Sequence, residues 1–279
     1  MKKFSKIVAG ILLAGMTMLS ACTNAEETQY KDPNVYGYLL FAQPLEKVTE
    51  QFAQDGLKPP ILFDDLNSMV LALQAKKIDV IDCVIQPLAE YIANHNKKLQ
   101  AVEETDEQWQ GNMLLTMGTM QDNIKIYELL NSAITELQAN GKLDALQKKY
   151  VDAYLQKGKE PKAVTLPKFK DAPVIKIAVT GDNPPLDLIT EDGTPTGFNM
   201  AMLAEIGKLK KVNIIPVPMN SGARFLSLSK GIVDALFFVD KPVYSDNELT
   251  ETIAELDVPG SVKTTVPYAK YKIYSVVRK

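Results

Sequence analysis

The chain has 279 residues, 46% apolar and 23% charged, with a net charge of −3; these are ordinary globular figures, and the length suits two lobes. No Lys/Arg stripe with interleaved aromatics is present, which excludes nucleic acid as the main partner. His95 is the single histidine, in a polar run, and neither CxxC nor HxxxH occurs; a zinc site has no support, and no metal or cofactor is expected.

Residues 1–22 read as a targeting segment, with Lys2, Lys3 and Lys6 before an apolar core, Ile7 to Leu19. That core is too short for a comfortable membrane span. Leu19-Ser20-Ala21-Cys22 matches the lipoprotein cleavage pattern, making Cys22 the acylated mature N-terminus and 23–33 a tether. A plain secretory signal with a chance cysteine is the alternative. The lipid places the protein on the outer side of a cytoplasmic membrane or in a periplasm, and stable anchoring needs more than one acyl chain. After processing only Cys83 remains, so no intrachain disulfide is possible; its apolar run, Val80 to Ile85, predicts a packing role.

Val35 to Phe41 predicts a strand, and Pro44 to Gln54 a helix with Leu45, Val48 and Phe52 on one face. Ile61 to Phe63 is a strand. Asp64 or Asp65 caps a helix striped by Leu66, Met69, Val70 and Leu73. Ile78 to Ile85 is a strand, Pro87 to Asn94 a helix and Leu99 to Val102 a strand; such alternation gives a parallel α/β sheet. Met113 to Met117 suits a crossing strand. A helical pair follows: Asn123 to Asn140, ending at Gly141, then Leu143 to Leu155. Lys157 to Pro173 is rich in Lys and Pro and predicts a surface linker.

Val174 to Val179 is a β-branched strand, followed by a polar loop with two prolines. Leu186 to Thr190 is a second strand, Glu191-Asp192-Gly193 a hairpin turn, and Gly197-Phe198-Asn199 opens a helix carrying Met202, Leu203 and Ile206. Open α/β sheets place ligands in loops at the carboxyl ends of their strands.

This last stretch resembles the opening of bacterial extracellular solute-binding proteins of the polar amino-acid type (family 3), with their "DGxxxGF" turn. Ala223 to Ala235 is similar to the family's "NRIxxLxxGxxDA", and Pro267-Tyr268 with Ile273 to Lys279 resemble its "PYY" and hinge strand. Asp65 to Tyr91 resembles the family's second lobe, and Leu129 to Tyr150 its closing "LxxxxNxAIxxLxxxGxLxxIxxKY". The resemblance implies an α/β, two-lobed, type II periplasmic-binding-protein-like fold, each lobe a mainly parallel sheet flanked by helices, with a two-strand hinge. The order is swapped: 34–116 corresponds to lobe two, 117–156 to closing helices on lobe one, 157–172 to a linker, and 173–279 to the lobe-one core and hinge strand. Each half supplies what the other lacks, which favours circular permutation over tandem copies. Permutation puts Lys279 near Asp32, and Ser275 to Val277 beside Leu114 to Met117.

In this family a lobe-one arginine grips the ligand carboxylate, first-loop aromatics pack its side chain, and a lobe-two aspartate takes the ammonium. Here the first-loop positions are Asn183 and Leu186. The segment with the family's "TxxR" has no arginine, and the aspartate position falls near Val84 or Ile85, with Asp82 offset. Arg224 keeps its family match, with ligand contact or a structural salt bridge as its two roles. Lys241 is a substitute cation, as a point charge and not a fork. Asp182, Asn183, Phe238 and Asp240 at strand ends complete the expected ligand contacts, with Gln43 and Gln86 from lobe two. Asp79 and Asp234 read as structural pins.

The expected function is a lipid-anchored solute receptor that binds a small polar molecule, an amino acid or related compound, for an ABC permease, as a monomer. A receptor fold turned to sensing or protein interaction is the alternative. No Ser/His/Asp or Cys/His set supports an enzyme.

Overall fold

The computed structural model describes residues 30–40, 42–105, 110–244, 251 and 258–279; the targeting segment, Cys22 and Phe41 lie outside them. The chain enters through β1 (Tyr36–Leu39), α1 (Leu45–Gln54), β2 (Ile61–Phe63), α2 (Leu66–Gln74), β3 (Val80–Ile85), α3 (Gln86–His95), β4 (Leu99–Glu103) and β5 (Gly111–Leu115). It crosses through β6 (Gly118–Met120) to α4 (Ile124–Ala139), α5 (Lys142–Gln147), one π-helical stretch (Lys148–Asp152) and α6 (Ala153–Lys157). Next come β7 (Val174–Val179), β8 (Asp182–Asn183), β9 (Asp187–Ile189), β10 (Pro195–Thr196), α7 (Phe198–Lys210), β11 (Asn213–Pro218), α8 (Ser221–Ser229) and β12 (Ala235–Leu236). The chain closes with β13 (Lys241–Tyr244), β14 (Val262–Thr264) and β15 (Ala269–Arg278).

Two mixed sheets flanked by helices make the two lobes. In lobe one the order is β11-β7-β12-β6-β14, with β7 parallel to both neighbours and β6 antiparallel to β12 and β14. In lobe two the order β2-β1-β3-β15-β4 repeats that plan: β1 is parallel to β2 and β3, and β15 runs antiparallel between β3 and β4. The N-terminal half of β15 pairs with β5, which pairs in turn with β13. Lys270, not Ser275 to Val277, is the partner of Leu114. The two main crossings run side by side, where Thr265 N–H donates to Met117 O (2.9 Å) and Met117 N–H to Thr265 Oγ1 (3.1 Å).

The first and last strands of the described residues are tied together in lobe two. The Asp79 carboxylate accepts from Val35 N–H (3.0 Å), just ahead of β1, and from the Arg278 guanidinium (2.7 Å), next to the last residue. Those bonds, the Val35 amide first, hold its carboxyl below the usual range. Asp234 pins β7 in the same way, accepting from Lys176 N–H at 2.8 Å.

Local chemistry sets the flanking helices. The Asp65 carboxylate caps α2 by accepting from Ser68 N–H (2.8 Å), and Asn123 caps α4 through Ile126 N–H. α4 buries Leu130, Ala133, Ile134 and Leu137, and each large apolar side chain removed from water contributes about 1.5–3 kcal/mol. Gly197 precedes α7 at φ +100°, where a Cβ would sit 2.3 Å from Leu186 O; only glycine fits there. Residues 158–173 run over the surface without helix or strand, largely exposed, and are pinned at two points: Val164 is buried with its N–H donating to Pro195 O, and the side chain of Asn213 bonds both backbone groups of Phe169.

Candidate functional site

One cavity of about 130 Å³ lies between the sheets and is walled by both lobes. That size is near the engineered apolar cavity of about 150 Å³ that holds benzene. The lobes meet at its rim, where Ser221 N–H at the start of α8 donates to Asp64 O (3.0 Å). Gly222 faces Leu40 and the Asp64 carboxylate there, so closely that an added Cβ would stand 3.0–3.1 Å from both.

Lobe one contributes Thr180, Asn183, Arg224, Phe238 and Asp240. Arg224 is 5% exposed, and its Nη1 donates to the carbonyls of Phe237 (3.0 Å) and Phe238 (3.2 Å). These bonds hold a turn in which Phe238 sits at φ +58°, a conformation costly for a bulky residue. Among the described residues Arg224 makes no salt bridge; a single guanidinium nitrogen, Nη1, grips backbone. Its Nε, and Oδ1 of the buried Asn183, have no protein hydrogen-bond partner among the described residues.

Lobe two contributes mainly apolar wall: Leu39 and Leu40 after β1, Leu66 and Met69 on α2, Val84 and Ile85 on β3, Leu88 on α3 and Met113 on β5. Asp82 also reaches the cavity, where Oδ2 accepts from Tyr38 OH (2.8 Å) and Oδ1 from Ser275 Oγ (2.7 Å). Burial raises the Tyr38 phenol well above its ordinary pKa. Cys83 is not a plain packing residue: it lines the cavity at φ +59°, with Sγ 3.1 Å from Tyr244 OH.

The two lobes place residues of opposite polarity at equivalent points. Val35 is to Asp79 as Lys176 is to Asp234, because each aspartate exchanges backbone and carboxylate bonds with its partner strand. Counted from those anchors, Leu39 corresponds to Thr180 and Ile85 to Asp240. Met69 and Arg224 each lie four residues past the N-cap of their helix, Asp65 and Asn220. All six line the same cavity.

Of the residues expected from sequence, Asn183, Arg224, Phe238 and Asp240 come together at this cavity. Asp182 lines a smaller one of about 20 Å³ at the rim, with Asp64 and Asp65, and burial raises its carboxyl pKa. Lys241 sits on β13 opposite Leu114, outside the lining, while its neighbour Pro242 is in it. Gln86 also lies outside the lining and donates to Glu90 (2.7 Å) along α3; Gln43, ahead of α1, is outside it too. Sequence reasoning missed Met69, Thr180 and Leu39, whose only signal was their position at strand and helix ends. It noted Asp82 as offset from the family's aspartate position and left its direction open; the left-handed residue Cys83 beside it interrupts strand alternation, and Asp82 lines the cavity.

Beneath the lobe-one wall, Asp187 is fully buried; its Oδ1 accepts from Thr180 Oγ1 (2.6 Å) and Gly181 N–H (3.1 Å). Burial raises its carboxyl pKa to about 6. Among the described residues no group of three His, Cys, Asp or Glu is poised to hold a metal, and no helix is long and apolar enough to cross a membrane.

Residues 175–238 match the family model of bacterial extracellular solute-binding proteins, family 3. No curated protein matches the chain. Among solved structures, it is similar to the PBP AgaA from A. tumefacien R10 in complex with agropinic acid, at 11% identity and TM-score 0.39, covering 79% of this chain and 55% of that one. An arginine-bound ArgBP mutant from T. maritima is 12% identical with TM-score 0.34, covering 88% of this chain and 87% of its own. A periplasmic substrate-binding protein of an ABC transporter from Coxiella burnetii is 15% identical with TM-score 0.36, covering 88% and 84%. The chain thus spans just over half the length of the first of these.

Proposed function

We propose that this chain, whose residues 175–238 carry the family 3 solute-binding segment, is a lipid-anchored extracytoplasmic receptor that captures a small amino-acid-like molecule for an ABC-type importer. The observation that carries this is the cavity of about 130 Å³ shared by the two lobes, with the Arg224 cation on one wall and the Asp82 carboxylate on the other. A zwitterion taken out of water needs both of its charges met by charged hydrogen bonds, and this arrangement offers one partner of each sign. The role is capture, with Cys22 as the acylated anchor and lobe two nearest the tether.

The reading includes a permuted chain order. The swapped motif order supports it, and so does the meeting of Val35 and Arg278 on one carboxylate. Joining Lys279 to Asp32 and opening the chain within 157–172 is expected to give a protein with the same melting behaviour and ligand response; a variant that fails to fold counts against permutation. For the receptor role, isothermal titration against amino acids and small organic acids is expected to show saturable one-to-one binding, weakened by Arg224→Lys. Silence across the panel overturns it in favour of a sensing or protein-interaction role. Radiolabelled palmitate is expected to enter the wild type and not Cys22→Ala.

A further inference from the structure

At the rim of the cavity each lobe offers the start of a helix to the other. Ser221 N–H, opening α8 in lobe one, donates to Asp64 O of lobe two (3.0 Å), and the Asp64 carboxylate faces Gly222. In return Leu66 N–H, opening α2 in lobe two, donates to the Asp182 carboxylate of lobe one. The first amides of a helix have no partner within it and carry partial positive charge, so both contacts draw the lobes together. They also gather three carboxylates, Asp64, Asp65 and Asp182, around one space of about 20 Å³ that no lysine, arginine or histidine lines. Asp187, on the strand paired with Asp182, is a fourth acid nearby. The cation of α8, Arg224, directs Nη1 at the carbonyls of Phe237 and Phe238. Among the described residues these acids are not grouped to hold a metal.

We propose that this rim is a proton-linked latch: closing the lobes confines Asp182 against Asp65 and the start of α2, and uptake of one proton there strengthens closure. The proposal concerns a hinge motion between two lobes and involves no ligand, so it stands or falls apart from the receptor reading above. With the lobes in contact, burial first and then the Asp65 charge raise the Asp182 carboxyl above its ordinary 3.8. Parting the lobes returns it to water and removes both causes. The closed state therefore holds the proton more tightly than the open one. This gain in closure is fully present below the ordinary value and is lost as pH rises through the raised one. A protonated Asp182 keeps the Leu66 bond through its carbonyl oxygen. Asp187 lies beneath the wall, bonded to Thr180 and Gly181 of its own lobe, so parting the lobes leaves those bonds in place.

The test is solution scattering of the full chain without ligand, in a series from about pH 7 down to about pH 4. The expected result is a radius of gyration that falls on acidification, opposite in sign to the swelling of an acid-expanded state. Asp182→Asn removes the titrating group and is expected to abolish that fall. Asp65→Asn keeps a competent cap on α2 and removes the facing charge, and is expected to move the midpoint of the fall to lower pH. Circular dichroism and melting establish that each variant is folded; if Asp182→Asn is not, the midpoint in Asp65→Asn decides. A radius that stays constant or grows between pH 7 and pH 4 overturns the proposal. So does an undiminished fall in folded Asp182→Asn, or an unmoved midpoint in Asp65→Asn.

Discussion

The two lobes share a strand order, strand directions and an aspartate pin, yet they handle polar groups in opposite ways. Lobe one buries Arg224, Asn183, Asp187 and Asn199 near the cavity. At the places that match Thr180, Arg224 and Asp240, lobe two packs Leu39, Met69 and Ile85. A common backbone plan therefore fixes where side chains meet the cleft, and leaves their chemistry open. Buried polar groups are costly unless paired, so lobe one should be the more fragile partner under substitution and the more sensitive to pH.

The largest expected effect tests that directly. Arg224→Ala strips the donor from the carbonyls of Phe237 and Phe238 and is expected to cost about 3–4 kcal/mol in chemical denaturation. The equivalent Met69→Ala leaves only a cavity, at about 2–3 kcal/mol; a larger loss at Met69 would reverse the comparison. Next is Asp187. With its folded pKa raised to about 6 from 3.8, the folded state holds the proton more tightly than the unfolded one. Its contribution is thus fully present below pH 4 and is lost as pH rises through 6, by up to about 3 kcal/mol. Asp187→Asn is expected to remove this fall, read as the difference between the two stability–pH curves.

The aspartate pins sharpen the comparison at a smaller scale. Asp79→Ala releases both Val35, ahead of the first described strand, and Arg278, at the end of the last, and is expected to cost about 2 kcal/mol, against about 1 kcal/mol for Asp234→Ala, which releases Lys176 alone. Equal losses by thermal melting would mean that the tie between Val35 and Arg278 adds nothing to lobe two. Smallest is Gly222→Leu at the rim, expected to change stability by under about 1 kcal/mol. It should lower ligand affinity roughly tenfold by wedging Leu40 and Asp64 apart, and raise the radius of gyration in solution scattering.

Most elements were legible from local chemistry: the β-branched run of β7, the stripe of α4, the Asp-Gly turn ahead of β10. Where local pattern stopped short, a long-range contact had decided. The Lys/Pro-rich segment runs over the surface without helix or strand, and its course is set by Asn213 and the β10 hairpin, where Val164 finds an apolar seat. The single helix expected over Leu143 to Leu155 divides into α5, a π-helical stretch and α6 as Tyr150, Val151 and Tyr154 enter the core.

By itself the sequence determined the α/β class, the helix caps and the glycine before α7, since these depend on neighbours within a few residues. Only the tertiary structure decided which side chains share the cleft. Whether Asp82 or Met69 faces a ligand depends on a left-handed residue and a helix approach that bring distant segments together. Arg224 was visible as one of two arginines, but the carbonyls it holds are turned toward it by the backbone at Phe238, a geometry fixed by packing and not by pattern.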